Sequence, residues 1–165
     1  MIRKPYWDTR DFHEFLKRSN KDTFDWSENN CCNFAAKAIE AQTGVRIDDD
    51  FAGKYSDKVS AFKLIKSVTG GSNVADAAAY CAEKHGLPEL QYPLLAQRGD
   101  LVVFPNTDGE LIAGVIHTNG RHAVSLGETG TIAVPISKVV RAWSVSGTHA
   151  HPKAFNGQAK AVTNV

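Results

Sequence analysis

Hydrophobic periodicity changes once along this chain, at the turn around Gly99, and that change limits the fold more than any other feature. Before the turn, apolar residues recur at helical spacing; after it, they fall in short strand-length runs. Phe12, Phe15 and Leu16 share one face of a short helix that Asp8 is placed to cap, with Asp11 three residues on. An Ala-rich helix is predicted over 30–42, with Phe34, Ala35, Ala38 and Gln42 in one stripe and Gly44 as its stop. Ser56 is the expected cap of a third helix carrying Val59, Phe62, Leu64 and Ile65. A fourth is predicted over 74–85, closed by Gly86 and Pro88.

Beyond Gly99, Leu101-Val102-Val103-Phe104 reads as a short buried strand, followed by an Asn106-Thr107-Asp108-Gly109 turn and a second strand over 111–118. Asn119-Gly120 is the strongest hairpin signal, a type I′ turn that sets His117 opposite His122 on the returning strand. Further strands are expected over 131–134 and 141–145. Helices first and an antiparallel meander second is an α+β pattern. The chain divides into an N-terminal extension with a short helix (1–23), a main domain (24–145) and an aperiodic tail (146–165), expected to be extended and ordered only against a partner.

A formal net charge of +1 gives no field to recruit nucleic acid or an anionic membrane, and no apolar run is long enough to cross a bilayer. The basic pair Arg3-Lys4 has no apolar segment behind it. No signal peptide is therefore expected, and Cys31, Cys32 and Cys81 are expected as free thiols made in a reducing cytoplasm.

The segment Asn29-Asn30-Cys31-Cys32-Asn33-Phe34 puts a thiol in the first turn of a helix. Unpaired N–H groups and the positive end of the helix dipole favour the thiolate there, and the same N–H groups can hold an oxyanion. The competing reading is two small residues packing a helix.

The order of a cysteine at a helix start, Arg98-Gly99-Asp100-Leu101-Val102-Val103-Phe104, then Gly114-Val115-Ile116 and a hairpin resembles the NlpC-type cysteine peptidases. Closer still is the resemblance to small proteins of tailed-phage tail gene clusters related to them. It is carried by residues 26–44, Phe51-Ala52-Gly53-Lys54-Tyr55, the Gly-Asp-Leu-Val strand, Pro135 and Arg141-Ala142-Trp143. The resemblance implies a papain-like domain, with the Cys31 helix packed on an antiparallel sheet and Cys31 as nucleophile. In such enzymes an Asp usually precedes the nucleophile and a His opens the strand bearing the Gly-Ile/Val pair. Here Asn30 and Ile112 stand in those places.

Of the other histidines, His117 and His122 are the base candidates on the sheet. His117 lies an odd number of residues from Ile112, so it points to the other face. It also lies about 16 Å further along the strand at 3.3 Å per residue. His13, His85, His149 and His151 have no spacing that recommends them. Adjacent cysteines are poor zinc chelators, three are too few for an iron–sulfur cluster, and Asp48-Asp49-Asp50 lacks calcium-loop spacing, so no metal or cofactor is expected. Arg98-Gly99-Asp100 reads as the turn entering a strand, and Trp7, Trp26 and Trp143 as packing.

Two functions follow from the resemblance. One is a cell-wall hydrolase at a phage tail tip, cleaving peptidoglycan peptides during genome entry. The other is a catalytically degenerate structural protein of the same fold, bound to hub and distal-tail proteins in the virion tail.

Overall fold

Side-chain caps start three of the four α-helices found among the described residues, 1–147 of a computed structural model. Asn30, Asp57 and Asn73 each close a capping box at the head of α2 (Cys31–Thr43), α3 (Lys58–Thr69) and α4 (Val74–Lys84). Glycines at φ 82 and φ 75, Gly44 and Gly70, stop α2 and α3 in the left-handed conformation. Two expected caps are corrected. Asp57 rather than Ser56 caps α3, because its carboxylate accepts from the Ser60 N–H at 2.7 Å while the Ser60 hydroxyl accepts from both Ser56 and Asp57 N–H. Asp8 does not cap α1 (Phe12–Ser19). A π-helical turn, Trp7–Asp11, begins after Tyr6 and runs into α1, so Asp8 lies inside the turn and faces Arg98 at 3.5 Å.

Five strands form one antiparallel sheet: β1 (Leu101–Pro105), β2 (Leu111–Ile116), β3 (His122–Gly127), β4 (Gly130–Pro135) and β5 (Arg141–Trp143), in the order β4-β3-β2-β1-β5. The protein is therefore α+β, with helices and sheet segregated along the chain. Strand alternation divides the core. Leu101, Val103, Ala113 and Trp143 pack toward α2, α3 and α4, while Val102, Phe104, Ile112, Ile116 and Ala142 pack on the opposite face with Leu90, Ala96 and Val139. Near the β2–β3 hairpin, Val115, Val124 and Leu126 meet Phe12, Phe15, Leu16 and Phe34. Residues 1–23 thus contribute to the core, and the Lys4 N–H donates to the Gln42 carbonyl at 2.7 Å.

The hairpin keeps its expected register, with the His117 N–H donating to the His122 carbonyl at 2.8 Å, but its turn is not type I′. That type needs two left-handed residues. Tyr6 is the only non-glycine at positive φ among the described residues, so Gly120, at φ 72, supplies the single one. The Asn119 side-chain oxygen stabilises the wider turn by accepting from the Arg121 and His122 N–H groups at 2.7 and 3.2 Å. From residue 148 onward, the expected tail lies outside the described residues.

Gly114 shapes the centre of the sheet. A Cβ there would run into the Val124 carbonyl and touch the Phe104 ring. β3 crosses close over this point, and the paired β2–β3 ladder is confined to Val115–Val124 and Ile116–Ala123. Past it, the Ser125 hydroxyl rather than a backbone N–H donates to the Ala113 carbonyl. The Ala113 carbonyl is thereby held by a side chain, outside the paired ladder.

Candidate active site

The α2 start is fixed by Asn30, which is buried and fully engaged. Its side-chain oxygen accepts from the Cys32 N–H at 3.0 Å, the Asn33 N–H at 3.1 Å and the Tyr55 hydroxyl at 3.1 Å. Its amide nitrogen donates to the Trp26 carbonyl at 2.8 Å. Cys31, the first residue of α2, is half-buried against the cluster that contains Ile112. Its sulfur lies 4.0 Å from that of Cys32.

The three thiols are driven apart electrostatically. A hydrogen bond from the Cys32 thiol lowers Cys31 below the usual cysteine value; burial opposes it, and the N–H groups of Ala113, Cys32 and Cys31 itself add to the lowering. That same hydrogen bond, then burial, raises Cys32 well above the usual range. Burial, with Asp48 beyond it, pushes the Cys81 thiol up to about 12. Burial also raises the Tyr55 hydroxyl, which stays protonated and able to donate to Asn30. Of the three, Cys31 is the thiol whose proton is most easily lost.

The pair of thiols lines a cavity of about 210 Å³. Its inner wall is apolar and built on small residues, with Ala35, Ala61, Ala77, Ile65 and Leu101 facing the space. Its rim is polar. Lys58 at the head of α3 reaches across to Glu110 at 2.7 Å, and Asp108 and Glu128 stand exposed beside it. Phe24 and Trp26 line it as well and meet edge to face at 5.1 Å.

The sequence candidates fall in two places. Cys31 and Ile112 line the same cavity, with Ala113 beside them. His117 lies just past the end of β2, about 13 Å from Ala113 at strand spacing. There it lines a separate cleft with His13, Leu16 and Lys17. Burial lowers the His117 imidazole, with His122 and His13 adding to the effect. His117 Nδ1 accepts from the Asn119 N–H at 3.1 Å, and His122 Nδ1 lies 3.1 Å from the Asn119 amide nitrogen. His85 pairs with Asp49 at 3.1 Å, and His149 and His151 lie outside the described residues. No described histidine lines the Cys31 cavity.

The other constellations resolve into structural roles. Lys84 bridges Asp49 and Asp50 at 2.7 and 2.8 Å, and Arg46 holds Asp48 through two hydrogen bonds. Asp100, fully buried, accepts from the Gln97 N–H at 2.8 Å and the Val145 N–H at 3.1 Å, which ties the strand entry to the end of the sheet. Trp143 is core, and Trp26 lines the cavity. Sequence reasoning missed the Ala113 N–H and the Tyr55–Asn30 brace. A glycine inside a strand pattern, Gly114, was the available signal for the first, because it marks close backbone approach.

A family model described as Domain of unknown function (DUF6950) matches residues 2–145. The chain belongs to that family. No curated protein and no solved structure matches it. The match takes in the N-terminal helix, the Cys31 helix and the whole sheet, so the DUF6950 domain comprises both faces of the core and the cavity between them.

Proposed function

We propose that this chain is a papain-like, NlpC-type domain of a tailed-phage tail tip, and that its Cys31 site is a degenerate cysteine-peptidase site kept in a structural component. One observation carries the reading: Cys31, whose thiol is lowered, and the aliphatic Ile112 line the same cavity. The nucleophile half of a peptidase is present there and the base half is not. In amide cleavage the thiolate attacks the carbonyl, N–H groups hold the oxyanion, and the departing amine must receive a proton. Ile112 has none to give. Losing a positioned acid–base group costs a factor of about 10²–10⁴ in rate. The partners on this reading are hub and distal-tail proteins, and the site of action is the virion tail after synthesis in the bacterial cytoplasm.

A second reading is an active hydrolase that cleaves peptidoglycan peptides during genome entry. The lowered Cys31 thiol favours it, because a thiol that loses its proton more readily leans less on a base for the first step. His117 or His122 would then have to protonate the amine after a rearrangement of the hairpin.

Dye release from purified sacculi separates the two. Wild type, Cys31→Ala, and the His117→Ala/His122→Ala double variant are compared. The expected result is weak or no release by wild type, and gain of release in Ile112→His. Strong wild-type release abolished by Cys31→Ala would overturn the degenerate reading. The tail assignment is checked separately, by mass spectrometry of purified virions; absence of the chain from mature particles refutes it.

A further inference from the structure

The inner wall of the cavity joined to Cys31 is apolar, and its floor is made of alanines. Ala35 of α2, Ala61 of α3 and Ala77 of α4 converge on it, each buried, with Ile65 and Leu101 closing the space. A dry cavity of about 150 Å³ is enough to hold a benzene ring. The 210 Å³ here exceed that and open toward a nucleophilic sulfur.

We propose that Cys31 accepts an apolar acyl group from a thioester and holds it in this cavity as an S-acyl cysteine. The proposal rests on Cys31 being a nucleophile without an acid–base partner; it does not depend on the tail assignment. The sulfur lone pair of Cys31 attacks the thioester carbonyl carbon, and the carbonyl π pair moves onto oxygen. The oxyanion meets the N–H of Ala113, which already acts on the Cys31 sulfur, and the N–H of Cys31 at the helix start. Collapse breaks the donor carbon–sulfur bond and expels a thiolate, which takes up the proton that Cys31 had lost to solvent. The acyl group has moved from one sulfur to another with no change in oxidation state.

This step suits the site because a thiolate leaves without being protonated, unlike an amine. Ile112 is then no handicap to acylation. It is the reason the product persists, since no base is at hand to activate water for hydrolysis. The rim selects the donor's other half. Asp108, Glu110 and Glu128 face Lys58 alone, whose ammonium Glu110 already holds. An uncharged or cationic leaving thiol is favoured and a polyphosphate carrier repelled.

The test uses the full chain with the octanoyl and acetyl thioesters of N-acetylcysteamine, followed by intact-protein and peptide mass spectrometry. Expected is one octanoyl group on Cys31, formed on the order of tenfold or more faster than acetylation, since each buried methylene adds to binding. Cys31→Ala should remove it. Ala61→Leu and Ala77→Leu, which place side chains in the cavity, should suppress octanoylation while sparing acetylation. Retained acetylation shows that the variant has folded with its nucleophile in place, and either variant suffices. Octanoyl spread evenly over the three cysteines, or equal rates for the two chain lengths, would overturn the proposal. So would catalytic release of free octanoate, and that outcome would also reveal a base and refute the degenerate reading. Absence of acylation together with inactive sacculus assays would overturn the proposal and leave the degenerate reading standing.

Discussion

Replacing Asn30 with alanine removes one side chain that does four jobs at the head of the Cys31 helix. It caps α2 by accepting from the Cys32 and Asn33 N–H groups, receives the Tyr55 hydroxyl, and donates to Trp26. Loss of a side-chain cap costs about 0.5–2 kcal/mol. A buried hydroxyl left without a partner costs about 1–3 kcal/mol more. Asn30→Ala is therefore expected to destabilise the domain by roughly 2–4 kcal/mol. In urea titration this appears as a lower midpoint at unchanged slope. Tyr55→Phe removes the group that the first change orphans. The Asn30→Ala/Tyr55→Phe double variant should thus be more stable than additivity predicts, by about 1 kcal/mol. The same variants report on the site. With the cap gone, the helix start frays, the N–H groups that face the Cys31 sulfur lose their alignment, and alkylation of Cys31 at neutral pH slows. Asn30→Asp should retain the cap but also slow alkylation, because it sets a negative charge beside the thiolate. A cost below about 1 kcal/mol with strict additivity would refute the assignment of Asn30 as the anchor of both helix and thiol.

Iodoacetamide at neutral pH should label Cys31 before Cys32 and Cys81, as only Cys31 is lowered; equal labelling in the folded protein removes the activated nucleophile. Cys81 sits at about 12 in the folded chain against an ordinary 9.0, so its contribution is whole below about pH 9 and is lost as pH rises toward 12. Urea midpoints of wild type should fall more steeply over that window than those of Cys81→Ala, and identical slopes would count against a buried neutral thiol. Asp100→Ala should cost about 3–5 kcal/mol, since it leaves the Gln97 and Val145 N–H groups unpaired and Arg3 without its carboxylate counter-charge. A loss under about 1 kcal/mol, read from thermal or urea unfolding, would show that water replaces the carboxylate.

Much of this architecture is local, and local information is what a sequence carries openly. Asn30 and Gly44 bracket α2 because a side-chain acceptor and a left-handed glycine each act within one helical turn. The hairpin register of His117 against His122 follows from a short Asn-Gly loop, and the strand periods after Gly99 announce a sheet packed on helices. The same short-range reasoning placed a thiol at a helix start. It misjudged the α3 cap by one residue and the turn type at Asn119, where only Gly120 takes a left-handed conformation.

Tertiary structure decided what surrounds the thiol. The Ala113 N–H lowers the Cys31 thiol from a strand more than eighty positions away in sequence, beside the point where β3 passes close over Gly114. The cavity exists because alanines from three helices converge on one space, and each alone reads as an unremarked helix former. The Tyr55–Asn30 bond that braces the cap spans twenty-five residues. Chain order placed a thiol where a helix end polarises its own first residue. Which groups share its cavity, and the absence of a histidine lining it, depended on how distant segments pack, and no period along the chain records that.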